Sequence, residues 1–184
     1  MPLIVDCKHK MAAILDRQHG SRPRLDVTSK GPEPWVRFSP FYPHGNIPVP
    51  LSPGVMGASV EGIWQGLKVF EGSDVDLDSF TNTTMRSLKR TERKFGKVLG
   101  HRAGVTGERL LTYQEARYQI YLPAYRWVLE HCLQNELKNL QEMSRSDTIV
   151  LLDYETNGDI EDLSKPLSHA SLIVRYIEGR WPQP

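Results

Sequence analysis

With 184 residues, 39% of them hydrophobic, the chain is long enough to close one substantial core. A formal net charge of +1 gives no bulk attraction to a polyanion, and two cysteines, Cys7 and Cys132, match neither a zinc spacing nor a disulfide framework. The opening MPLIVDCKHKM holds an apolar patch too short for a signal peptide or a membrane span, so a cytoplasmic, single-domain protein with no membrane partner is expected.

Residues 6–19 have the spacing of a short amphipathic helix, with Met11, Ile14 and Leu15 on one side. Arg24 to Thr28 and Trp35 to Ser39 are expected as short strands about the turn Lys30-Gly31-Pro32. Five prolines from Pro40 to Pro53 then exclude any regular element, and the aromatic content of that loop argues against disorder. Ser59 is placed to cap a helix running to about Phe70. Asp74, Asp76 and Asp78 open like a calcium loop, but Ser79 and Met85 stand where the sharp-turn Gly and the bidentate Glu are needed, so a solvated turn is expected.

Thr84 to Val98 is expected as a basic helix, followed by a loop at Gly100, Gly104 and Gly107. Thr112 caps a long helical stretch to about Met143, which Pro123 must kink or restart. Ile149-Val150-Leu151-Leu152 is an apolar run suited to a strand covered on both faces, with Asp153 at its carboxyl end. Ser164, Pro166 and Gly179 bracket a last helix. The fold expected is α+β, helix-dominated with a few short strands.

Four groups of residues can carry chemistry. At about 100° per residue, Glu61, Trp64, Gln65 and Lys68 share one face of the capped helix, opposite Val60, Ile63, Leu67 and Phe70. Glu61 is then a lone acid in the first turn, or part of a solvated face with Lys68. Trp64 on that face needs something to cover it. The second group is the basic segment Arg86, Lys89, Arg90, Arg93, Lys94, Lys97 and Arg102, which can hold phosphate or pair with the acidic segments. The third is Tyr113, Arg117, Tyr121 and Tyr125, spaced by four. The fourth is the acids after the buried strand, among which Asp153 is delivered to a fixed place. A pair of differently tuned carboxyls is what glycosidic cleavage needs, and Glu61 with Asp153 is a candidate pair. The six histidines show no H-x-x-x-H or H-x-H spacing, and no nucleophile elbow or dinucleotide fingerprint occurs, so neither metal nor cofactor is expected.

Ser39-Pro40-Phe41-Tyr42-Pro43, followed by Ser59-Val60-Glu61 with Gln65 and Lys68, resembles the NADAR family of YbiA-like N-glycosidases. Leu88-Lys89-Arg90, Tyr113 with Arg117, Gln134-Asn135 and the strand ending at Asp153 follow in the same order, over about two thirds of the chain. Pro40, Gly62 and Tyr113 depart from that family's Asn, His or Gln, and Trp; its D-x-x-W-G motif is absent, and GHRAGVTGERLL has no counterpart.

The resemblance implies a YbiA-like α+β domain over residues 35–184, with 1–34 an N-terminal extension. It implies cleavage of an N-glycosidic bond in a ribose-phosphate compound: an ADP-ribose derivative, an ADP-ribosylated nucleobase or a riboflavin-pathway intermediate. The partner expected is thus a small ribonucleotide or ADP-ribosylated nucleic acid. Glu61 would be the main catalytic acid or base, assisted by Asp153. Arg90, Arg102 and Arg117 would bind phosphate, with Ser39, Phe41, Tyr42, Trp64, Gln65, Lys68 and Tyr113 framing the substrate. The rival readings are a non-catalytic nucleotide binder and an interaction protein that docks through its basic helix.

Overall fold

The computed structural model describes residues 2–183. In chain order the elements are β1 (Leu3–Cys7), α1 (Ala12–His19), β2 (Arg24–Asp26), a 3-10 turn (Trp35–Phe38), β3 (Ile47–Pro48), β4 (Met56–Gly57), α2 (Val60–Gly66), β5 (Lys68–Phe70), α3 (Leu77–Thr81) and α4 (Glu92–Phe95). Then come β6 (Val98–Arg102), β7 (Leu110–Leu111), α5 (Tyr113–Ala116), a π-helical turn (Arg117–Tyr121), α6 (Leu122–His131), α7 (Gln134–Ser146), β8 (Ile149–Asp153) and α8 (His169–Ile177). The fold is α+β.

The chain forms two compact units: Met1–Ser39 with Leu133–Gln183, and Pro40–Cys132. In the first, β8 is the middle strand of a parallel sheet, flanked by β1 and β2. Ile149, Val150 and Leu151 are all buried, as a central strand requires, and α8 packs on β1 and β8. The stretch expected as an N-terminal extension therefore supplies both outer strands of this sheet. Asp6 and Cys7, expected to begin a helix, are extended instead: they end β1, which pairs with β8 along its whole length, from Leu3 opposite Ile149 to Cys7 opposite Asp153. Tertiary pairing here overrides a weak local helical pattern.

The second unit holds the antiparallel sheet β5-β6-β7, the short pair β3-β4 and the helices from α2 to α6. Ser59 caps α2 as expected, its Oγ accepting the Gly62 N–H at 3.0 Å. The helix ends at Gly66, and Lys68–Phe70 leaves as β5 to pair with β6. Two glycines one turn apart set where α2 lies. A Cβ on Gly62 would stand 2.5 Å from the Ser79 carbonyl oxygen, and one on Gly66 would stand 2.2 Å from the Phe80 ring. These bare positions let α3 lie directly against α2.

Two further expectations fail, one in each unit. Trp35 to Ser39, expected as a strand, is a 3-10 turn whose bonds close locally, Arg37 N–H to Pro34 and Ser39 N–H to Val36. The basic segment 84–98 is helical only over Glu92–Phe95. Met85 and Ser87 adopt left-handed backbone (φ 58° and 56°), and Asn82 accepts the Thr84 N–H in a local turn. Arg90 is drawn inward, and Lys89 and Lys97 lie outside the helix. The long stretch from Thr112 breaks where proline requires: α5 carries a full capping box between Thr112 and Glu115, a π turn follows, and Pro123 sits at the start of α6.

Candidate functional site

Glu61 sits in the first turn of α2, where its own N–H donates to the Pro40 carbonyl at 2.8 Å. The proline- and aromatic-rich loop is thereby tied to the start of the helix. The side chain is buried, with 8% of its surface exposed. One turn on, the Gln65 amide nitrogen donates to the Glu61 carboxylate at 2.9 Å, while the Gln65 amide oxygen accepts the Arg90 backbone N–H at 3.1 Å. That second bond fixes which end of the amide faces the acid. Burial pushes the Glu61 carboxyl above its ordinary range; the Gln65 hydrogen bond and the charges of Lys89 and Lys68 oppose it without prevailing. The half-buried Lys68 ammonium is shifted down, by burial first, with Glu61 pulling the other way.

Trp64, on the same helix, is covered as its place on the polar face demanded. Its ring centroid lies 3.9 Å from that of His101, 5.8 Å from Tyr113 and 5.8 Å from Tyr121, the two tyrosines meeting it edge-on. His101 stands opposite Lys68 in the β5–β6 pair, so the two side chains share one sheet face. Tyr113 lies at the exposed rim of the cluster, with the buried Arg117 guanidinium stacked on it at 4.6 Å. Tyr121 and Arg117 come from the π turn, whose extra residue re-aims side chains and which recurs at functional sites. Lys89 lies 6.0 Å over the Phe41 ring. Glu61, Trp64, Gln65, Lys68 and Tyr113 are thus brought together, with Lys89, His101 and Tyr121 added to them.

Two of the arginines expected to bind phosphate serve the protein. Buried Arg90 donates to the carbonyls of Gln65, Lys68 and Asp74 and to the Ser73 hydroxyl, and its guanidinium lies over Phe70 and Phe95. It braces the end of α2 and the turn beyond β5. Arg102 grips the Asp74 carboxylate through two nitrogens, at 2.9 and 2.6 Å, and this pairing holds Asp74 below its usual range. Ser39 is buried at the end of the 3-10 turn, and Tyr42 packs on His44 at 4.8 Å.

Asp153 belongs to the first unit and is engaged there. It accepts from Ser168 Oγ at 2.8 Å and from the Ala170 N–H at 3.2 Å, and it pairs with His169 at 3.0 Å. Burial acts to raise this carboxyl, but the charge and hydrogen bond of His169, with Ser168 and Ala170, bring it below its ordinary value. His169 is buried too, yet Asp153 and the Val27 carbonyl, 2.9 Å from its other nitrogen, shift it upward. The pair joins the end of β8 to the start of α8.

The first unit also has a cleft of about 440 Å³ at the carboxyl ends of β1 and β8, lined by Cys7, Tyr154, Glu155, Asn157, Asp159 and Lys165 among others. Such a place suits a ligand in a parallel sheet. Two of its acids, however, serve loop geometry: Asp159 accepts the Glu161 N–H and Asp162 the Ser164 N–H. Among the described residues no group of three His, Cys, Asp or Glu is placed to hold a metal ion, and no helix is long and apolar enough to cross a membrane.

His101 was not legible as a site residue. It lies in the glycine-flanked GHRAG segment, expected as loop, and only the pairing of β6 with β5 brings it under Trp64.

An α+β chain carrying a buried acid beside ammonium groups and an aromatic cluster is what the geometry defines. The chain belongs to DUF6939, a family of unknown function, whose model matches residues 7–173. A comparison with curated proteins finds no match.

Proposed function

We propose that the protein is an N-glycoside hydrolase acting on a ribose-phosphate compound, with Glu61 as its catalytic acid or base. The observation that carries this reading is Glu61 itself: buried, shifted toward its neutral form, and held by Gln65 beside Lys68. A buried carboxyl shifted toward its neutral form can give a proton to a departing base, and its anion can take one from water. Cleavage breaks the bond from ribose C1′ to nitrogen; water supplies the hydroxyl to C1′ and the proton to the base. Lys68 and Lys89 carry positive charge for phosphate, and Trp64 with Tyr113 offers flat faces to the base or ribose. The resemblance of Ser39–Pro43 and Ser59–Lys68 to the NADAR pattern points the same way.

Trp64, Tyr113 and Tyr121 also suit a nucleotide binder without turnover, the second reading. An assay for free base released from NAD, ADP-ribosylated nucleobases and N-ribosyl phosphates tests the proposal. Release from at least one substrate is expected. Binding across the panel with no release from any favours the binder and contradicts the hydrolase.

A further inference from the structure

In the parallel sheet of the first unit, the chain leaves two neighbouring strands toward opposite faces. Successive residues of a strand point to opposite sides. Asp6 and Arg24 share one face by register, and His19 and Asp16 of α1 engage them there, each at 2.7 Å. Asp153, in register with Cys7 on the other face, is engaged by His169 at the start of α8. A crevice between the carboxyl ends of two such strands is where an open parallel sheet takes a ligand. The cleft of about 440 Å³ lies at the ends of β1 and β8, and ligand sites typically measure about 300–1,000 Å³.

The lining sets the chemistry of that ligand. Glu155, Asp159 and Asp162 bring three carboxylates to the cleft against one ammonium, that of Lys165. Asp159 and Asp162 each accept a loop N–H. Glu155 differs: it is half-buried, and no described residue hydrogen-bonds or pairs with its carboxylate. Lys8, whose ammonium lies 5.5 Å over the Tyr154 ring, is already paired with Asp26. A partly desolvated carboxylate without a partner in the chain repels an anionic ligand, and it attracts a cation more strongly than a fully solvated one does.

We propose that this cleft binds a small organic cation, a primary amine whose ammonium group is held by Glu155 while its apolar stem lies along Tyr154 and Cys7. The thiol and the phenol ring wall the cleft on either side of the strand ends. The site lies wholly within the first unit and does not rest on the hydrolase reading.

The probes are 1,4-diaminobutane and succinate, which has the same number of carbons and the opposite charge. Titration calorimetry at physiological ionic strength is run on the wild type, Glu155→Gln and Glu142→Gln, the last removing an exposed acid of α7 that does not line the cleft. Glu155→Gln takes away no contact within the chain, so it is expected to melt with the wild type. The wild type should bind 1,4-diaminobutane saturably and succinate not at all. Glu155→Gln should bind the diamine about tenfold more weakly or worse, and Glu142→Gln should bind it as the wild type does. In the wild type, the Tyr154 ring resonances should shift with the diamine and not with succinate, a readout that needs no variant to fold. No saturable binding of the diamine, equal binding of succinate, unchanged affinity in Glu155→Gln, an equal loss in Glu142→Gln, or silent Tyr154 resonances overturns the proposal. The hydrolase reading is decided separately, by release of free base.

Discussion

Gln65 joins Glu61 to Arg90: its amide nitrogen holds the buried carboxylate at 2.9 Å while its oxygen takes the Arg90 backbone N–H at 3.1 Å. One side chain thus orients the acid and anchors the segment that braces the end of α2. Replacing it with alanine leaves a buried N–H without its acceptor and takes a favourable hydrogen bond from the Glu61 anion. Gln65→Ala should cost about 1–3 kcal/mol in urea unfolding. It should also move upward whichever limb of a pH–rate profile Glu61 sets, because the Gln65 hydrogen bond favours the Glu61 anion.

Glu61 makes the chain less stable as it ionises. Its folded pKa lies above the ordinary value of 4.5, so the folded state binds the proton more tightly than the unfolded chain. Wild-type stability therefore falls as pH rises from about 4.5 through the folded value, and levels off above it. Glu61→Gln lacks this loss. Its melting temperature relative to the wild type should climb over that window and end higher at pH 8 than at pH 4, as thermal melts across pH will measure.

The Asp153–His169 pair follows the opposite pattern at its two ends. Asp153 is lowered from 3.8 and His169 raised from 6.5. The Asp153 contribution is present above about pH 3.8 and is lost as pH falls through its lower folded value. The His169 contribution is present below about pH 6.5 and is lost as pH rises through its higher folded value. Breaking one partner of a buried pair typically costs about 3–5 kcal/mol. Asp153→Asn should destabilise on that scale in urea near pH 6, with the penalty shrinking toward pH 3 and toward pH 9. A loss of turnover with stability intact would instead give Asp153 a direct part in the reaction.

Gly62 tests the packing that fixes α2. Alanine favours a helix over glycine by about 1 kcal/mol. Here its methyl meets the Ser79 carbonyl oxygen at 2.5 Å, a backbone atom that cannot turn aside. Gly62→Ala should be net destabilising by about 1–3 kcal/mol, and a variant melting above the wild type would show that α3 yields easily.

Arg90→Lys distinguishes a brace from a bare charge. The guanidinium reaches four acceptors at once and lies over two phenylalanines, which a lysine ammonium cannot do. Lysine should lose stability nearly as alanine does; full rescue by lysine would mean that charge alone matters.

What the sequence revealed depended on how local the cause was. Ser59 and Thr112 as caps, Pro123 at a helix restart and the apolar β8 were all readable because each acts within one turn or one strand. The grouping of Glu61, Trp64 and Gln65 was readable for the same reason. β1 was not, since only pairing with a strand more than a hundred residues away makes it extended. Nor was the inward turn of Arg90, whose acceptors are backbone carbonyls that no residue type advertises. His101 reaches Trp64 through a strand pairing that the glycines around it disguised as loop.

Turnover by Glu61→Gln, read beside its affinity for the same substrate, tests the central claim most directly. The wild type should release free base from an N-ribosyl phosphate. The variant should do so about a hundredfold to ten-thousandfold more slowly, with the dissociation constant changed little. A Glu61→Gln enzyme that binds and releases base at the wild-type rate would contradict the account.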